Sequence, residues 1–157
     1  MAGLEPRGFT WVIAGKLAVS ERIGGYGIQH RRVRREEEII WLVEAGITAV
    51  VSLLPGNQNE AAYESAGLAF SHYMIADAFE VEEAPEIFAL IADATSDPDA
   101  VVLIHRDLID DTVVGLLGGY LMYSGLVEDP IMATSVIQEI VGRAIGPEGR
   151  RLIPQKA

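Results

Sequence analysis

The chain has 157 residues, half of them hydrophobic, no cysteine, and a formal net charge of −11 at pH 7. That length suits one domain over residues 1–157 with a core of its own, and the lack of cysteine excludes a disulfide framework, a thiolate nucleophile and a zinc–thiolate centre. The charge argues against nucleic acid and other acidic partners, because a phosphate backbone is repelled by most faces of such a protein.

No apolar run approaches the roughly 18 residues that a membrane-spanning helix needs. The opening Met1 to Gly8 has neither the basic start nor the apolar middle of a secretory signal, so a soluble, cytoplasmic protein is expected. Thr10–Ile13 and Leu17–Val19 read as a hairpin turned at Gly15 and Lys16, on one edge of a sheet. The loop Gly24-Gly25-Tyr26-Gly27 lacks the Lys-Ser/Thr of a P-loop and the strand-to-helix setting of a dinucleotide fingerprint, and reads as a turn. Glu36 to Ala45 predicts a helix with acidic residues in its first turn and Gly46 as its cap.

Ile47 to Leu54 is a β-branched run closed by Pro55-Gly56 and predicts a strand inside the sheet. Asn59 to Ala66 predicts a short helix stopped by Gly67, and Leu68 to Ile75 alternates as the next strand. Pro85 to Asp93 is helical, with Ile87, Leu90 and Ile91 on one stripe, and Asp97-Pro98-Asp99 turns the chain. Val101 to Ile104 suits a parallel strand covered on both faces. Asp110 to Tyr123 predicts a central helix in which Gly115, Gly118 and Gly119 permit close packing. Gly125 ends that helix, Asp129-Pro130 opens another, and Pro147-Glu148 starts a last turn. The order predicts an α/β sandwich, a mostly parallel central sheet flanked by helices.

Two clusters carry the charge. Arg22, Arg31, Arg32, Arg34 and Arg35 make a local basic spot ahead of Glu36, Glu37 and Glu38, a possible docking patch for an anion or partner. The preferred reading is a solvated helix start, since Arg32–Glu36 and Arg34–Glu38 have helical pairing distance if the helix begins that early. Asp77, His105, Asp107, Asp110 and Asp111 have the hard-ligand chemistry of a divalent-cation site, but carboxylates beside a helix start serve more often as caps, so no metal or other cofactor is expected. His30 and His72 show no ligand spacing and receive no role.

Several local sequences then resemble the compact dual-specificity members of the protein tyrosine phosphatase superfamily, over nearly the whole chain. Trp11 to Arg22 is similar to the family's opening hairpin, with Ile23 where a proline often follows the arginine. Trp41 to Leu53 and Tyr63 to Tyr73 are similar to its next two helix–strand units, and Val102 to His105 to the strand that enters its catalytic loop. The resemblance implies the cysteine-phosphatase sandwich and puts Asp77 where the family carries its general acid. In active members the loop reads His-Cys, five residues, Arg, then Ser or Thr. Aligned without a gap, Arg106 takes the nucleophile position, Ile109 the usual glycine, Thr112 the arginine and Val113 the hydroxyl. A one-residue deletion moves Thr112 to the hydroxyl position but leaves Asp111 in place of the arginine.

Arginine cannot attack phosphorus, and Asp107, Asp110 and Asp111 would each repel a phosphate dianion by about 1 to 4 kcal/mol at ~4 Å. The residues thus imply a pseudophosphatase that binds a protein or small-molecule partner or acts in regulation, with the old anion pocket filled by its own aspartates. His105 reads as a satisfied core residue, Arg106 as the partner of Asp107, Asp110 or Asp77, and Asp77 as a loop or cap residue. The alternatives are a metal-assisted phosphoester hydrolase with a bound water as nucleophile, and a binder of phosphorylated ligands through Arg22 and the Arg31–Arg35 spot.

Overall fold

The computed structural model describes residues 3–25, 31–54, 59–75 and 79–154. Tyr26, Gly27, His30, Pro55, Gly56 and Asp77 lie outside them. In chain order the elements are β1 (Thr10–Ile13), β2 (Leu17–Ser20), α1 (Arg32–Glu44), β3 (Ala49–Ser52), α2 (Glu60–Ser65) and β4 (Ala69–His72). A 3-10 turn (Val81–Glu83) follows, then α3 (Ala84–Ala94), β5 (Val102–His105), α4 (Asp111–Tyr123), α5 (Pro130–Val141) and α6 (Pro147–Arg150).

The five strands lie in the order β1-β2-β5-β3-β4. Only the β1–β2 hairpin is antiparallel; β2, β5, β3 and β4 run parallel. The mostly parallel α/β sandwich is therefore as the sequence predicts, with β5, the most apolar strand, at its centre. Alternation along each strand decides which face a side chain joins. Leu17, Val19, Val51, Val102 and Ile104 enter the core beneath α3, α4 and α5. Ala18, Val50 and Leu103 point the other way, toward Ile39 and Leu42 of α1 and Tyr63 of α2.

Three elements differ from expectation by two or more residues at an end. Helix α1 begins at Arg32, four residues ahead of Glu36, because Arg32 pairs with Glu36 at 3.1 Å and Arg34 with Glu38 at 2.9 Å across one helical turn. It ends where expected, with Gly46 at φ 94°. Strands β3 and β4 each cover four residues of a longer apolar run, Ala49–Ser52 of Ile47 to Leu54 and Ala69–His72 of Leu68 to Ile75. The glycines of α4 permit contact that no larger residue would. A Cβ on Gly115 would stand 2.3 Å from the carbonyl oxygen of Gly149, so α6 lies directly on the α4 backbone.

Candidate functional site at the carboxyl edge of the sheet

Parallel register aligns the last residues of four strands in one row: Ser20 beside His105, His105 beside Ser52, and Ser52 beside His72. Loops leaving the carboxyl ends of open parallel sheets are where α/β proteins build sites. The segment Arg106–Asp110 joins β5 to α4 at the centre of this row.

His105 is fully buried. Burial pulls its pKa from 6.5 down to about 4, the nearby Arg22 guanidinium acting in the same direction and the Arg106 carbonyl opposing it. The ring is neutral at pH 7. Nδ1 lies 3.3 Å from the Arg106 carbonyl oxygen, which can only accept, so Nδ1 holds the proton. Nε2 is left to accept from the Tyr63 hydroxyl at 3.4 Å. Burial also pushes the Tyr63 pKa up, keeping that hydroxyl a donor. His105 is thus a satisfied core residue that ties the β5 end to α2.

The three loop aspartates have separate partners. Asp110 is the N-cap of α4: one oxygen accepts from the Val113 amide at 3.0 Å, and the other meets the Arg106 guanidinium at 3.0 Å. Asp111, one residue later, faces the opposite way. Its carboxylate accepts from the Gly146 and Gly149 amides, each at 2.6 Å, and from Arg143 at 3.3 Å, which fastens the start of α6 to the start of α4. Asp107 stands 3.6 Å from Arg22, too far for a hydrogen bond. Its Oδ1 and the Arg22 Nε are buried without hydrogen-bond partners, although the Arg22 amide donates to the Asp107 carbonyl oxygen at 3.2 Å.

Ile109 turns inward, within 2.8 Å of where a Cβ on Gly8 would lie, while Leu108 is exposed. Thr112 is the second residue of α4. Among the described residues no group of three or more His, Asp or Glu side chains is placed to hold a metal ion. The basic spot is divided among several partners: Arg22 to Asp107, Arg32 to Glu36 and Arg34 to Glu38. Arg35 donates to the Asn59 side chain at 3.3 Å, and Asn59 in turn donates to the Ile23 carbonyl oxygen at 3.0 Å.

Contacts with no sequence signal complete the region. Glu38 is buried, accepting from the Gly24 amide at 2.7 Å as well as from Arg34. Tyr63, Arg143, Gly146 and Gly149 reach the loop through contacts 32 to 42 positions apart in the chain. No local pattern encodes such pairs.

No protein-family model matches the sequence, and no curated protein matches it. Solved structures match its shape. Kinase-associated phosphatase, with its catalytic cysteine replaced by serine, superposes with a TM-score of 0.74 over 94% of this chain and 92% of that one, at 16% identity. Tk-PTP in its active form gives 0.68 over 93% and 92%, at 22% identity. Human DUSP28 gives 0.62 over 94% and 90%, at 19% identity.

The chain has the dual-specificity phosphatase fold. It has this fold without any cysteine, and its β5–α4 segment is held by its own ion pair and cap. Among the described residues, no helix of this phosphatase fold is long and apolar enough to cross a membrane.

Proposed function

We propose that this protein is a pseudophosphatase, a phosphatase fold that performs no phosphoryl transfer and acts by binding or in regulation within the cytoplasm. The observation that carries the reading is the Asp110 carboxylate on the Val113 amide with Arg106 on its other oxygen. A helix start that binds phosphate does so with free amides and positive potential. Here an internal anion already occupies one of those amides, in a chain with no thiol to attack phosphorus. Asp77, His105, Arg106, Asp107, Ile109, Asp110, Asp111 and Thr112 make up the retired site in this proposal.

Hydrolysis of a small aryl phosphate by the purified protein, first with chelator and then with magnesium, manganese or zinc, tests the reading. No turnover under any condition is expected. Metal-dependent turnover that disappears in Asp107→Asn or Asp110→Asn would overturn it in favour of a metal-assisted hydrolase.

A further inference from the structure

Helices α5 and α6 border a surface hollow of about 290 Å³, lined by Pro130, Ile131, Thr134, Ser135, Gln138 and Arg150. Two of its polar side chains are fixed by a single residue outside it. Ile145, itself buried, donates its amide to Gln138 Oε1 at 2.9 Å and accepts from Arg150 Nε at 3.0 Å. A backbone amide only donates, so the Gln138 oxygen is the atom on Ile145 and its NH2 group is left over. The terminal nitrogens of Arg150 and the Ser135 hydroxyl also have no partner among the described residues. The Thr134 hydroxyl, by contrast, is spent on the Pro130 carbonyl oxygen at 2.8 Å. With Nε engaged, Arg150 keeps the end-on pair of N–H groups that matches two oxygens of one oxyanion.

The charges around the hollow favour an anion of low valence. Arg150 is the charged residue that lines it, and no carboxylate does. Asp129, beside Pro130, is turned to the Ile131 amide at 2.8 Å, and Glu148 is paired with Arg151 at 3.0 Å. Glu139 follows Gln138 in α5 without lining the hollow. One guanidinium in a chain at −11 suits a monoanion, because each further negative charge on a ligand meets the repulsion of the whole protein again. The remaining wall is apolar: Pro130 is buried beneath it and Ile131 is 78% exposed along it. At ~30 Å³ for each water-sized group, the hollow takes about ten non-hydrogen atoms.

We infer that the α5–α6 hollow binds a small monocarboxylate, its carboxylate on Arg150 and Gln138 and its apolar body against Pro130 and Ile131. The inference goes beyond the function proposed above and does not rest on it. Benzoate fits the size and serves as the probe, with benzyl alcohol as the uncharged control and phenyl phosphate as the dianionic one, all at fixed ionic strength and neutral pH. NMR titration is expected to shift the Ile131 and Ser135 amides, the Gln138 side-chain NH2 and the Arg150 guanidinium, with a millimolar Kd, the scale for so small a ligand. Affinity should fall about tenfold in Gln138→Glu and in Arg150→Ala, the scale of one lost charge-assisted hydrogen bond. It should hold in Arg7→Ala, an exposed arginine on the amino-terminal segment. Gln138→Glu keeps an acceptor for the Ile145 amide and removes only the donor, so the fold is retained, and thermal unfolding verifies this.

Absence of benzoate shifts, equal binding of benzyl alcohol, or affinity that survives both hollow substitutions would overturn the inference. Tighter binding of phenyl phosphate than of benzoate would overturn the choice of a monocarboxylate. An equal loss in Arg7→Ala and Arg150→Ala would also defeat the site, because general attraction of an anion to positive charge would then explain the signal.

Discussion

The β5–α4 loop and the α1–α2 seam differ in how their polar groups are satisfied. At the loop, Asp110 and Asp111 are neighbours in sequence, yet one closes its own helix while the other fastens α6. At the seam, Glu64 and Ile40 face outward on a groove. The loop is closed by its own internal contacts, whereas the seam leaves side chains facing solvent. Changes at the loop should therefore disturb the fold, and changes at the seam should not.

The largest effect is expected behind the loop. Gly115→Ala would normally favour a helix by close to 1 kcal/mol, but its Cβ would meet the Gly149 carbonyl oxygen at 2.3 Å. The sign should reverse, with a net loss of about 3 kcal/mol in chemical denaturation. A gain in stability would show that α6 does not rest on α4.

Acidification comes next. His105 titrates near 6.5 when unfolded and at about 4 when folded. Between those values the unfolded chain binds the extra proton, so its contribution, present in full above pH 6.5, is lost as pH falls toward 4. The loss amounts to about 3 kcal/mol. His105→Gln should flatten that part of the stability–pH curve, and a slope that survives the substitution would place the titrating group elsewhere.

Asp111→Ala removes the acceptor from two buried-side amides and Arg143 at once. A loss of about 2 kcal/mol is expected, with faster hydrogen exchange at Gly146 and Gly149; unchanged exchange there would mean the clamp carries little. Combined Asp107→Gly and Asp110→Ser, which removes the internal anion, should cost no more than about 1 kcal/mol, since serine caps a helix about as well as aspartate and only the pairs with Arg22 and Arg106 are lost, and should raise phosphate or sulfate affinity in calorimetry. No gain in anion binding would count against the filled-pocket reading. The smallest effect belongs to the seam: Ser65→Arg should change stability by no more than about 0.5 kcal/mol.

Much of this was legible because it is local. The hairpin around Gly15, the helix stops at Gly46 and Gly67 and the caps at Asp110 and Asp129 all depend on a few adjacent residues. The apolar run of β5 announced a parallel strand covered on both faces, but not that β5, rather than β3, is the central strand. Helix α1 was placed four residues late, at Glu36, because its apolar periodicity begins only at Ile39, although the spacing of Arg32–Glu36 and Arg34–Glu38 already allowed the earlier start. Of the site, the sequence offered Asp110 as one of three partners for Arg106, whereas Tyr63 at His105 and Gly149 at Asp111 had no local signal.

By itself the sequence determined the alternation of strands and helices, through the periodicity of its apolar residues, and it ruled out thiol chemistry by containing no thiol. Tertiary structure alone decided which way each carboxylate of the Asp107–Asp111 run points. It also decided that α1 and α2 lie close enough to leave a groove between them. Those outcomes depend on which distant amides and guanidiniums the folded backbone brings within hydrogen-bonding reach, and adjacency in the chain carries no record of that.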